Sequence, residues 1–265
     1  MNRISPVVKN LLIINVLLFA ATYILGSQFQ IELTKKLALY YPASTYFQPY
    51  QFVTHMFMHG GFAHILFNMY ALWMFGTAIE SAWGGKRFLF YYLFTGLGAA
   101  ALHTFVNFLV YSSMAASIIA FTNTPSPELF QQFVDAHKDF FNQNVYDFIH
   151  QWSMSPENQG YAATALENMH RVYQTTINIP TVGASGAVFG ILLAFGMMYP
   201  NARLMLIIPP IPIKAKWFVL GYGAIELFLG VSQPGSNIAH FAHLGGMLFG
   251  YILIRYWITQ GRRNR

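Results

Sequence analysis

Three short stretches of this chain place reactive side-chain types inside apolar sequence. The first is Gly183-Ala184-Ser185-Gly186-Ala187-Val188-Phe189-Gly190, where one serine stands between glycines at the head of an apolar segment running from Ala187 to Tyr199. The others are His64-Ile65-Leu66-Phe67-Asn68 and Ala242-His243-Leu244-Gly245-Gly246. A serine hydroxyl becomes a useful nucleophile only beside a base, and neutral histidine supplies one near pH 7. Ser185 is therefore the candidate nucleophile and His243 the candidate general base and acid. His64 and Asn68 lie four residues apart, on one helix face. An imidazole and a carboxamide aimed the same way can donate to a developing oxyanion, each such donor contributing about 3 to 4 kcal/mol in a water-excluded site. The Ser185 N–H, at a helix amino terminus, is a third candidate donor. Taken singly, each group has a plainer role: a serine among small residues is ordinary helix packing, and His64 with Asn68 can be a buried polar pair. It is their joint presence in apolar sequence, where polar side chains are costly, that points to chemistry.

The elements that must hold these groups are membrane spans. Hydrophobic residues make up 55% of the 265 and charged residues 9%, where a soluble domain carries about a quarter charged. Six segments are apolar and long enough to cross a bilayer, at about 7–26, 62–83, 88–111, 185–200, 216–232 and 238–258. The fourth is short, as suits a helix starting below the membrane surface. The first is long and lacks a small-residue cleavage site, so it reads as a span rather than a secretory signal. Gly183 frees the backbone to turn before the serine. Gly186 and Gly190, and likewise Gly246 and Gly250, form small-xxx-small faces that bring spans four and six together. At matching depth, Ser185 and His243 then meet one turn above those glycines.

Charge sets the orientation. With the amino terminus inside, the inner segments hold Arg3, Lys9, Lys86, Arg87, Arg203, Lys214, Lys216, Arg255, Arg262, Arg263 and Arg265, and the outer ones only Lys35, Lys36, Lys138 and Arg171. This follows the positive-inside rule and predicts cytoplasmic termini. The net charge of +6 is thus a topology signal. No basic patch interleaved with aromatics suggests a nucleic-acid partner. The absence of cysteine excludes disulfides, thiolate metal sites and a cysteine nucleophile.

One composition shift breaks the pattern, from about Phe121 to Ile179. Six acids (Glu128, Asp135, Asp139, Asp147, Glu157, Glu167) face Lys138 and Arg171 there, a local charge of −4. Ser-Pro-Glu triplets at Ser126 and Ser155 read as helix starts. After the first, Leu129, Phe133, Ala136, Phe140, Asn144 and Phe148 recur at helical spacing, predicting one amphipathic helix of about 24 residues. This is a helical extramembrane insertion, 121–179, on the outer face between spans three and four.

Histidine is abundant, which makes a metal site a possibility to test against the sequence. His55, His59 and His64 cluster before span two, and His240 and His243 share a face of span six. The His-Glu-x-x-His string of zinc proteases is absent, and no acid is evident beside the histidines. No metal or cofactor is expected, and His55, His59 and His240 read as hydrogen-bonding groups near the outer rim. The spans hold no aspartate, which removes a two-aspartate protease. Glu80 is expected to pair with Lys86 or Arg87; Glu226 has no evident partner.

At these residues the chain closely resembles the rhomboid family of intramembrane serine proteases. The resemblance is carried by His55-Met56-Phe57-Met58-His59-Gly60-Gly61-Phe62-Ala63-His64-Ile65-Leu66-Phe67-Asn68, Gly183-Ala184-Ser185-Gly186 and Ala242-His243-Leu244-Gly245-Gly246-Met247-Leu248-Phe249-Gly250, with Gly85-Lys86-Arg87-Phe88-Leu89 before span three. It covers roughly 7–111 and 180–258. It implies an all-α, six-transmembrane-helix bundle with a Ser185–His243 dyad lacking a third acid. It also implies His64 and Asn68 as oxyanion stabilisers, and cleavage of other proteins' transmembrane segments near the outer membrane face. His243 rather than His240 matches the family's base. Relatives often carry a Trp-Arg pair in the first outer loop, where this chain has Pro49-Tyr50-Gln51-Phe52. The expectation is a multi-pass protein of a bacterial inner (cell) membrane, working on transmembrane protein substrates in the lipid bilayer. Two other classes stand beside it. A non-catalytic rhomboid-like binder of transmembrane helices would usually lack the serine or the base. A transporter would show paired charges or half-helix repeats.

Overall fold

In hydrocarbon every backbone polar group must be satisfied within its own segment, which makes long apolar runs helical. The computed structural model describes residues 4–205, 210–232 and 239–263. Arg3, Arg265, the side chains of Arg262 and Arg263, and position 238 at the head of the sixth predicted span lie outside the described residues. The helices run in the order α1 (Pro6–Phe29), α2 (Leu33–Leu37), α3 (Gln51–Thr54), α4 (Phe62–Ala71), α5 (Thr77–Trp83), α6 (Gly85–Asn123), α7 (Pro127–Ala136), α8 (Asn144–Met154) and α9 (Gln159–Ile177), followed by α10 (Ser185–Met198), α11 (Ala215–Ser232) and α12 (His240–Arg263). A wide π turn, Leu72–Gly76, joins α4 to α5 as one span of 22 residues. A short antiparallel pair, β1 (Arg203–Met205) and β2 (Pro212–Lys214), stands between α10 and α11. Among the described residues, five helices can cross a membrane by length and composition, and α10, with 14 residues, is the expected short one. The predicted third span, 88–111, is the middle of a helix that runs on for 39 residues.

The chain forms two compact units, divided within α6. The first takes in the described residues up to Leu39, Tyr46–Thr104 and the described residues from Pro180 on. Its centre is α10, where Ala187, Ile191, Leu192 and Ala194 are almost fully enclosed. Between apolar helices lipid offers no hydrophobic gain, so close packing of small residues decides contact. A Cβ on Gly246 of α12 would stand 1.8 Å from the Gly186 carbonyl oxygen of α10; these helices touch backbone to backbone. The predicted partnership of the other two glycines differs. A Cβ on Gly190 would meet Thr95, and one on Gly250 would meet the Tyr91 hydroxyl. Both belong to α6, and Tyr91 Oη donates to the Gly190 carbonyl at 2.8 Å. Helix α6 occupies the groove that a continuous α10–α12 contact would have filled.

Glu80 also departs from expectation. It is buried and accepts from Ser5 Oγ (2.6 Å), Val7 N (2.9 Å) and Val8 N (2.8 Å). A carboxylate here satisfies the orphan N–H groups of the α1 amino terminus and complements its dipole, an attraction stronger than an exposed lysine offers. Arg87 instead lies over the rings of Trp83 and Trp257. Gln51 opens α3, between α1 and α4, in the Pro49-Tyr50-Gln51-Phe52 stretch. Its side chain is fully buried, donating to the carbonyls of Tyr46 (2.9 Å) and Lys36 (3.2 Å) and accepting from Gln48 N (3.0 Å). One amide thus ties the loop together.

The second unit comprises Tyr40–Thr45 and Phe105–Ile179. Phe121, Phe130, Phe133, Trp152, Ala165 and Met169 form its buried core. Ser126 caps α7 as expected, accepting from Leu129 N at 3.2 Å. The single 24-residue helix does not form. The chain breaks after Ala136, where His137 Nδ1 turns back onto the Phe133 carbonyl at 2.8 Å. Folding back as α7 and α8 lets Phe141 and Phe148 pack edge-on against Phe130, so both apolar faces share one core. Ser155-Pro156-Glu157 forms a turn rather than a helix start, and Asn158 caps α9 by accepting from Gly160 N at 2.9 Å.

Candidate active site

The segment entering α10 is fixed before the helix begins. Thr181 forms a two-way backbone bridge with Leu39 (2.8 and 2.9 Å), and its hydroxyl meets His103 Nε2 at 3.0 Å. Gly183 N donates to the His55 carbonyl at 2.9 Å. Gly183 has φ +129°, and a Cβ there would stand 2.8 Å from His64 Nε2. Only glycine suits this position, on both counts. His55 is buried, with Nδ1 2.9 Å from the Gln51 carbonyl, and burial lowers its pKa to about 4. His59, also buried, sits edge-on to His64 with ring centres 5.1 Å apart. Burial, then the neighbouring His64, lowers its pKa to about 4. Both imidazoles are neutral at pH 7.

Ser185 begins α10, and its Oγ lies 2.9 Å from His243 Nε2 of α12. This follows directly from the Gly186–Gly246 contact, one residue beyond Ser185 on α10 and three beyond His243 on α12. The His243 ring is stacked on Phe189, one turn along α10, with centres 4.2 Å apart and planes within 3°. Tyr222 of α11 backs Phe189 at 4.8 Å. Dispersion against a flat apolar face fixes the ring plane while leaving both ring nitrogens at its edges.

The far side of that ring holds what sequence reasoning missed. Glu226 Oε2 lies 2.9 Å from His243 Nδ1 and 2.7 Å from His240 Nδ1, all three groups largely buried. So an acid does accompany the histidines, and His240 reaches it rather than the rim alone. The His240 contact is a directed hydrogen bond, whereas His243 approaches obliquely. The three donor groups lie close enough to hold a metal ion, but tetrahedral ligands at about 2.0–2.1 Å from zinc stand about 3.3 Å apart. The observed 2.7 and 2.9 Å match shared protons better. A faint signal was available: Glu226 is the sole acid of span five.

Of the predicted oxyanion donors, His64 is placed beside Gly183 and so near Ser185. Its Nδ1 faces Gly60 N at 3.4 Å. Asn68 is buried, and its Nδ2 donates to the His64 carbonyl at 3.0 Å. A small cavity with room for about one water molecule opens beside Ser185, lined by His55, Gly96, Ala99, Thr181, Gly183 and Ala242.

The Rhomboid domain profile matches residues 46–127 and 148–260, leaving 128–147 of the second unit unmatched. The chain is 31% identical over 81 residues to "Rhomboid protein 1, mitochondrial" of Saccharomyces cerevisiae (31% of this chain, 23% of that protein). It is 41% identical over 68 residues to "Rhomboid protease GluP" of Bacillus subtilis (26% and 13%). To "Rhomboid-like protein 11, chloroplastic" of Arabidopsis thaliana it is 33% identical over 103 residues (39% and 34%). In each case it spans about a third or less of the relative's length.

Proposed function

The chain belongs to the rhomboid family, and from that premise we propose that it is an intramembrane serine protease cleaving transmembrane segments of other membrane proteins. The observation that carries this reading is the 2.9 Å approach of Ser185 Oγ to His243 Nε2, a nucleophile and base within hydrogen-bond reach in a largely buried setting.

In the reaction, Ser185 Oγ attacks the scissile carbonyl carbon as its proton passes to His243 Nε2. The carbonyl electron pair moves onto oxygen, held by the Ser185 N–H, His64 and Asn68. Collapse breaks the C–N bond, and the proton on Nε2 goes to the leaving amine. Water, for which the cavity beside Ser185 offers a place, then attacks the acyl ester. Its proton passes to Nε2 and on to the departing serine oxygen. Phe189 keeps the imidazole in plane throughout. An intact helix hides its carbonyls, so substrates with helix-destabilising residues near their outer end are favoured. Charge asymmetry supports cytoplasmic termini, and the family resemblance implies cleavage near the outer face, in a bacterial cell membrane. The single membrane domain runs through 1–265, with 121–179 as an extramembrane insertion that shapes substrate access.

The test is labelling of the detergent-purified protein with a fluorophosphonate. Stoichiometric labelling abolished by Ser185→Ala supports an active hydrolase. A wild-type protein that takes no label, while still binding transmembrane peptides, is a non-catalytic binder instead.

A further inference from the structure

We propose that Glu226 is a positioning residue for His243, so that the reacting pair works with a third, acidic member. This rests on the serine protease reading above. Three observations carry it. Glu226 Oε2 reaches the nitrogen of His243 opposite the one facing Ser185, at 2.9 Å. The carboxylate is itself about 95% buried and is clasped by His240 Nδ1 at 2.7 Å. The face of the His243 ring is closed by Phe189, so the imidazole has little freedom except to turn in its own plane.

A neutral imidazole carries its proton on one nitrogen, and the partner of the other decides which. Beside an ionised carboxylate, His243 holds its proton on Nδ1. Nε2 is then left with its lone pair toward the Ser185 hydroxyl, the arrangement a general base requires. When Nε2 takes the serine proton, the ring becomes a cation beside a fixed negative charge. Glu226 takes no proton itself; its charge favours the imidazolium that forms. His240 supplies the second contact that holds Oε2 in place. Among the described residues, the other groups facing this cluster are Ser185 from α10, Tyr222 from α11, His64 from α4 and His103 from α6. Among them Glu226 is the one able to carry negative charge near neutral pH.

The experiment compares fluorophosphonate labelling rates of the full-length wild type, Ser185→Ala, Glu226→Gln and Glu226→Asp in detergent across pH 5 to 9, with thermal unfolding of each. Glu226→Gln should label about a hundredfold to ten-thousandfold more slowly, as loss of the acid does in serine hydrolases. The acidic limb of its pH profile should also be displaced downward. Glu226→Asp should recover at least about tenfold of the loss. Equal rates and superimposable profiles for wild type and Glu226→Gln overturn the inference alone. A wild type that takes no Ser185-dependent label overturns the inference together with the protease reading. Should Glu226→Gln not fold, the nitrogen-15 NMR spectrum of the wild-type histidines decides. His243, assigned through His243→Ala, should carry its proton on Nδ1, and a proton on Nε2 overturns the proposal.

Discussion

Replacing Gly246 with alanine perturbs the contact on which the candidate site stands. The added Cβ would lie 1.8 Å from the Gly186 carbonyl oxygen, where real Cβ atoms do not come within 3.0 Å of a neighbour. The obstacle is backbone, with no flexible side chain to swing aside, so α10 and α12 must part by about 1.2 Å, the difference between those two distances. Overpacking of this kind costs about 1–3 kcal/mol, more where backbones meet; about 3 kcal/mol is expected here. Ser185 precedes Gly186 by one residue and His243 precedes Gly246 by three, so both ride on the displaced helices. The Oγ–Nε2 distance of 2.9 Å opens to about 4 Å, beyond hydrogen-bond range. A misplacement of about 1 Å costs about a hundredfold in rate. Fluorophosphonate labelling should therefore fall at least that far, with a matching drop in thermal stability. Gly221 in α11 is the control, since a Cβ there meets nothing within 4 Å. Gly221→Ala should leave labelling unchanged and stabilise by about 0.5–1 kcal/mol. A Gly246→Ala protein that labels at the wild-type rate and unfolds at the wild-type temperature refutes the reasoning.

Other perturbations have equally definite outcomes. Glu80→Ala strands Ser5 Oγ and the Val7 and Val8 amides, and should lower stability by about 3 kcal/mol with Ser185-dependent labelling still measurable below the unfolding temperature. Unfolding followed in detergent would check both; an unchanged midpoint counts against the capping role. Acid should loosen the segment that holds His55 and His59. With folded pKa values of about 4 for His55 and His59 against 6.5 unfolded, the unfolded chain binds more protons below pH 6.5. Their contribution is full above that pH and is lost as pH falls toward 4, on the order of 2 kcal/mol each at pH 4.5. A thermal midpoint that is the same at pH 7 and pH 4.5 contradicts this.

The parts of the site legible in the sequence are those written by composition and short-range spacing. A serine between glycines, and two histidines at the heads of apolar runs, have few other reasons to occur together in lipid. What escaped detection depends on how deep one helix lies against another. Glu226 is 14 residues from His240 and 17 from His243 along the chain, and periodicity within α11 says nothing of its height relative to α12. Proximity in sequence points Glu80 toward Lys86 or Arg87, but a helix amino terminus more than seventy residues away offers three donors at once. Phe189 could have been singled out as the residue one turn beyond Ser185, but an aromatic in an apolar helix carries no mark of what it faces. The α7–α8 break was hidden for another reason: the hydrophobic period continues through it, and only the shared aromatic core rewards folding back.

The wide turn at Leu72–Gly76 makes the length of the second span a functional quantity. A π turn accommodates one residue more than regular α-helix, and each residue rotates the chain by about 100°. The half bearing His64 is therefore indexed to the reacting end, while the half bearing Glu80 is indexed independently to the base of α1. Phe75, packed on Phe195 at 4.9 Å, sits at the junction between the two settings. Removing a single residue there would leave composition and hydropathy almost untouched, yet would twist one end of the span a quarter turn out of phase with the other.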